Sequence, residues 1–182
     1  MNLKEIRAEI VKDNDDSISN AELTGWINRA LDDLSLVARY MRTVTVSLVN
    51  GQYTLPSDFM EIVSTSCNLS RLPVTDFESE GYKIIGNVLQ VQNSNATGFT
   101  MVYIASLPHL VGDLDIPVLP VPYHDLLVLY PLFKAKFVDE LTDMYYIAKR
   151  EYTERKADFA RYVGKTQSVP HTKNVYVGGW NS

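Results

Sequence analysis

"ISNAELTGWINRALDDLSLVARYMRTVTVSLVNGQYTLP", Ile18 to Pro56, changes its periodicity part-way along, and that change decides the fold class. Its first half opens with Ser19 and, three residues later, Glu22. This is a capping box, in which each side chain can satisfy the other's free backbone N–H, and Ile18 can close on Leu23 as a hydrophobic staple. Leu23, Ile27, Leu31, Leu34, Val37 and Met41 then keep the 3.6-residue period, which predicts a helix from about Asn20 to Arg42. Beyond it the period is two. Val44, Val46 and Leu48 alternate with Thr43, Thr45 and Ser47, and Asn50-Gly51 follows, a dipeptide tolerant of positive φ and suited to a tight hairpin turn. Tyr53 and Leu55 continue the return strand until Pro56 stops it.

The same two periods sort the rest of the chain. Upstream, Leu3, Ile6 and Ile10 put one apolar stripe on a short helix. Downstream, strands are expected at Glu61 to Ser66, Tyr82 to Ile85, Val88 to Gln92 and Phe99 to Ile104, with Gly86-Asn87 as a second turn. Leu107 to Pro122 is a long connection rich in Pro and Asp. Pro122 suits the first turn of a helix running to about Leu141, with Leu126, Leu129, Tyr130, Phe133 and Phe137 on its apolar side. A last helix, about Asp143 to Val163, carries Tyr145, Ala148, Tyr152 and Phe159 on one side, a Glu151–Arg155 pair on another, and Gly164 as a C-cap.

Strands enclosed between two helical pairs make an α+β protein: a helical bundle with a small antiparallel sheet or sandwich inserted, and an extended C-terminal arm. The expected divisions are an N-terminal helix pair over 1–42, a β insertion over 43–106, a connecting loop over 107–121, a C-terminal helix pair over 122–164 packing on 1–42, and the arm over 165–182.

Composition narrows the function. The 182 residues are 46% hydrophobic and 21% charged, ordinary for a globular chain long enough to bury a core. A net charge of −5 argues against a protein that coats nucleic acid. The charge is unevenly spread: residues 148 to 182 hold seven Lys/Arg against three Asp/Glu, so the body is acidic and the C-terminal end basic. Cys67 is the one cysteine, which excludes an intramolecular disulfide or a CxxC site. The N-terminus lacks the pattern of a secretory signal and the apolar run from Pro117 to Phe133 is broken by Pro, His and Asp, so the expectation is a soluble intracellular product.

Catalytic patterns fail one by one. His109 and His124 flank the Pro-rich connection and could share a metal with Asp113, Asp115 or Asp125, but no HExxH or Cys/His spacing is present; capping or surface roles fit them better. Cys67 in strand-like surroundings reads as a small buried hydrophobe rather than a nucleophile. There is no GxGxxG and no GxxxxGK[ST], and the adjacent acids Asp15-Asp16, Asp32-Asp33 and Asp139-Glu140 read as solvated surface. Lys149, Arg150, Arg155, Lys156 and Arg161 are interleaved with Glu151, Glu154 and Asp158, as on a mixed-charge solvated helix. The expectation is not an enzyme, with no cofactor and no metal. A small hydrolase or lysis-related enzyme using His109 or His124 is the alternative of another class.

The C-terminal "KTQSVPHTKNVYVGGWNS", Lys165 to Ser182, stands apart. It has no carboxylate side chain, yet it keeps Val169, Val175, Tyr176, Val177 and Trp180, the residue types a solvated tail lacks because they bury surface and offset ordering entropy. A monomer could fold it back on itself, but the favoured reading is docking on another subunit, by strand addition around Asn174 to Val177 with Trp180 in a pocket.

Three stretches carry a family resemblance: "AELTGWINRALDDLSLVARY" in the second helix, "NGQYTLPSDFMEI" after the turn, and "LPVPYHDLLVLYPLFKAKF" opening the late helices. In that order they resemble the head-to-tail adaptor proteins of tailed bacteriophages, also called head-completion or connector proteins, including the podovirus tail tubular protein A type. The resemblance spans roughly residues 18 to 163. Its most specific parts are the Leu55-Pro56-Ser57-Asp58-Phe59 corner and the helix entry from Leu119-Pro120 to Leu127. It implies a structural virion protein in the neck between capsid and tail, made in the host cytoplasm and arranged as a ring, commonly of twelve copies, beneath the portal. A stopper or tail-completion ring protein is the alternative within that class. The implied partners are the portal, neighbouring copies, a tail or stopper protein, and double-stranded DNA passing through the lumen without specific binding. Residues 165 to 182 would then be the portal-docking arm. An acidic lumen repels the phosphate backbone, and Asp13, Asp15, Asp16, Asp113 and Asp115 are the candidate channel-facing acids.

Overall fold

The structure, a computed structural model, describes residues 1–12, 18–67, 69–72, 79–92, 97–138 and 142–166. In chain order the elements are α1 (Leu3–Lys12), α2 (Asn20–Ala38), β1 (Tyr40–Ser47), β2 (Gln52–Thr54), β3 (Phe59–Thr65), β4 (Gly81–Ile85), β5 (Val88–Gln92), β6 (Gly98–Ala105), a 3₁₀ turn (Val121–Tyr123), α3 (Leu126–Val138) and α4 (Thr142–Thr166). Helix pairs enclosing strands make the α+β class that the periodicities predict.

The start of α2 follows the sequence closely. Ser19 is extended and its Oγ accepts the Glu22 N–H at 3.2 Å, while Ile18 packs against the helical core to which Leu23 belongs. Its end does not. The helix stops at Ala38 rather than near Arg42, because Arg39 turns left-handed with φ 47° and Tyr40 enters β1. Met41, spaced to extend the helical stripe, is a strand residue instead.

The strands form two antiparallel three-stranded sheets, ordered β1-β6-β3 and β2-β5-β4. The Asn50-Gly51 turn is present, with φ of 52° and 72°, and Val49 and Gln52 exchange backbone hydrogen bonds of 2.9 and 3.0 Å. The return strand does not continue the pairing, however: β2 leaves for β5 in the other sheet, and β1 pairs along its whole length with β6. Gly98 permits the close approach, since a Cβ there would lie 2.7 Å from the Val46 carbonyl oxygen. Both sheets contribute to one apolar core, in which Val46, Met101 and Tyr103 meet Tyr82 and Leu89.

A second core joins the helices. Leu3, Ile6 and Ile10 of α1, Leu23, Ile27, Leu31 and Leu34 of α2, Leu126 and Leu127 of α3, and Tyr152, Phe159 and Val163 of α4 are buried together. α3 packs on α1, α2 and α4, so it is apolar nearly all round, as an enclosed helix must be. It begins at Leu126 after the 3₁₀ turn that holds Pro122, later than predicted. Phe137, assigned to its apolar side, is exposed, its ring 5.4 Å between centroids from that of Tyr145.

Two local expectations for α4 are also corrected. Gly164 does not cap the helix, which continues to Thr166. Arg155 bonds Asp125 at 2.6 Å and the Pro122 carbonyl, and lies over the Tyr123 ring, rather than pairing with Glu151. Contacts to the preceding turn outcompete a solvated pair one helical turn away. Among the described residues no helix is long and apolar enough to cross a membrane.

Candidate functional site

The connection between β6 and the 3₁₀ turn can be neither helix nor strand, because Pro108, Pro117 and Pro120 interrupt it. It is nevertheless braced from below. Leu107, Leu110 and Leu119 are buried anchors. Asn28 of α2 grips Leu110 twice, accepting its N–H at 2.9 Å and donating to its carbonyl at 3.0 Å. Ser35, also on α2, accepts the Leu107 N–H at 2.9 Å and donates to the Leu31 carbonyl at 2.8 Å. Both polar side chains interrupt an otherwise apolar helix face, and the loop is what they serve.

The loop then turns on its own carboxylate. Asp115 accepts the N–H groups of Val111 and Gly112, each at 2.8 Å, and these two bonds hold its carboxyl below the usual range. The Asp115 and Asp113 carbonyls accept the Leu3 and Lys4 N–H groups at 2.9 and 3.0 Å, supplying partners that the first turn of α1 lacks within itself. Arg7 completes the brace through an ion pair with Asp113.

What this bracing presents is apolar. Val111, Leu114, Ile116 and Val121 are 83%, 79%, 70% and 73% exposed, four aliphatic side chains held in water along the braced connection and the turn that ends it. Exposed aliphatics grouped in this way mark an interaction surface rather than a catalytic one. The ridge runs through Val118 and Pro120 into an open groove of about 430 Å³, closed on its other sides by the β1 end of α2 and the last turns of α4.

Asp113 and Asp115, two of the acids singled out from sequence, are thus brought together in this loop, with their carboxylates engaged in holding it. Asp13, Asp15 and Asp16, and the arm residues Val169, Val175, Tyr176, Val177 and Trp180, lie outside the described residues. His109 and His124 part company. His109 is exposed with Nε2 2.7 Å from Asp32. His124 is buried, its Nε2 2.9 Å from the Leu119 carbonyl and its Nδ1 2.9 Å from the Met1 amine. Among the described residues no group of three or more His, Cys, Asp or Glu could hold a metal ion. Cys67 is half-buried against the sheet core. The basic side chains of α4 are tied up locally: Lys156 with Asp33 at 2.7 Å, Arg161 with Asp158, and Arg150 with Glu154 at 4.0 Å.

The ridge escaped the sequence reading because it has no period. Its signal was compositional, six aliphatic residues set among Asp, Gly and Pro from Val111 to Val121, where a solvated loop would carry polar side chains.

Residues 1–174 match the family model described as SU10 adaptor protein. No curated protein matches the chain.

Proposed function

The chain belongs to the SU10 adaptor protein family, a bacteriophage virion adaptor with a structural role, and from that premise we propose that it joins the portal to the tail in the phage neck. The observation that carries this reading is the braced ridge of Val111, Leu114, Ile116 and Val121, which suits burial against another protein. Val118 and Pro120, which lie between Ile116 and Val121 in sequence, line the same groove as Thr166, the last residue of α4. In this reading the arm that follows Thr166 and the ridge both act on the portal.

In this proposal the copies assemble as a ring, with twelve as the expected number, and the arm, carrying Val169, Val175, Tyr176, Val177 and Trp180, extends onto the portal. The opposite end receives the tail or a stopper protein, and DNA passes through the lumen. Asp13, Asp15, Asp16, Asp113 and Asp115 supply its negative lining, which keeps the phosphate backbone from condensing on the wall. The division into a helix pair, a β insertion, a connecting loop, a second helix pair and an arm, and a likeness to the podovirus tail tubular protein A type, belong to the same proposal.

Sedimentation of purified cognate portal with the full chain, and with a chain ending at Thr166, tests it. The full chain is expected to decorate the portal as a ring and the shortened chain to bind far more weakly. Equal binding by both would remove the arm from the contact; absence of binding by either would remove the portal.

A further inference from the structure

The groove at the foot of α4 has a closed floor and an open rim. Leu119 and Val163 are buried in its floor, whereas Met41, Val118 and Tyr162 stand exposed around it. None of its lining residues is charged. Thr166 is both the last residue of α4 and part of the wall, with its Oγ1 3.0 Å from the Tyr162 carbonyl. The chain therefore leaves the helix from within the groove.

Sixteen residues follow Thr166, and the first apolar ones are Val169 and Pro170. An extended chain advances about 3.3–3.6 Å per residue, so Val169 can reach roughly 10 Å from Thr166. Pro170 favours that extended path by fixing its own φ and by disfavouring the helical conformation at Val169. Gln167 and Ser168, the intervening residues, carry no charge. The residues after Thr166 are thus uncharged and then apolar, and an uncharged groove lies within their reach.

We infer that this groove is the intramolecular seat of Val169 and Pro170, and that seating them sets the direction in which the rest of the arm leaves the body. Val169 then belongs to the hinge of the arm rather than to its portal contact, which is left to Val175, Tyr176, Val177 and Trp180. Because the seat is a property of the free chain, it can fail while portal binding stands, and the reverse.

The test uses the full-length chain without portal. In a Cys67→Ser background, Met41→Cys is combined with Val169→Cys and exposed to a mild oxidant. The expected product is an intramolecular disulfide formed at least tenfold faster than in the control pairing Val169→Cys with Val49→Cys, a position at the exposed 49–52 turn. A rate equal to the control would overturn the inference, and so would disulfides joining two chains, which would place the segment in a neighbour's groove. Independently, Val169→Asp is expected to speed hydrogen exchange at the Val118 amide several-fold; unchanged exchange would likewise count against the seat.

Discussion

Asn28 and Asp115 show how single polar side chains hold an unperiodic loop. Replacing Asn28 with Ala removes both bonds to Leu110 and leaves a part-buried N–H and carbonyl unpaired, which should cost about 1–3 kcal/mol. Urea unfolding checks this: the midpoint should fall, and an unchanged midpoint would mean that water replaces the side chain without loss. Asp115 predicts a pH effect. Its folded pKa is depressed below the ordinary 3.8 by the Val111 and Gly112 N–H groups, so its contribution is fully present above about pH 4 and is lost as pH falls through the lower folded value. Amide exchange at Val111 and Gly112 should therefore accelerate on acidification below pH ~4. In Asp115→Asn it should already be fast near neutrality and vary much less with pH, once the intrinsic pH dependence of exchange is subtracted. From sequence Asp115 was legible as an acid in a loop, and its bonds to nearby backbone were not, because identity alone does not show which way a carboxylate points.

The elements themselves were legible where a period runs uninterrupted, and less so at their ends and in their pairing. Helices α1 and α2 and the strands around Gly86 lie where the apolar spacing puts them. Strand partners are a different matter: β1 and β6 are joined over more than fifty residues of sequence, and nothing within either strand names the other. Helix ends hinge on one residue's backbone, as Arg39 shows at α2. Gly164 gives this a test. It lies inside α4, with nothing within 4 Å of a Cβ built on it. Gly164→Ala should therefore stabilise the protein by about 0.5–1 kcal/mol, because alanine is the better helix former and no clash opposes it. A rise in Tm supports the continuous helix, whereas a fall would indicate the left-handed cap that the sequence suggests.

At the scale of the whole molecule, two cores divide the labour: one gathers the sheets, and the other gathers the helices and, through Leu107, Leu110 and Leu119, the loop that carries the ridge. The family was legible in three stretches because they fold into the α2 frame, the β2–β3 corner and the entry to α3. The ridge between β6 and α3 was not, since its side chains help neither the period nor the core. Being exposed, Leu114 and Ile116 should be dispensable for stability: changing both to Ser should alter it by no more than about 0.5 kcal/mol per site, as measured by thermal unfolding.

Their value lies in the proposed contact, where burying an aliphatic side chain contributes about 1.5–3 kcal/mol. The most direct measurement is the affinity of the full-length chain for purified cognate portal, wild type against the Leu114→Ser/Ile116→Ser double variant, with electron microscopy of each complex. The account predicts a ring of wild-type copies with the ridge buried at the portal-facing end, and a folded variant that binds at least tenfold more weakly. A variant that binds as tightly as wild type, or a complex in which the ridge stays in solvent, would contradict it.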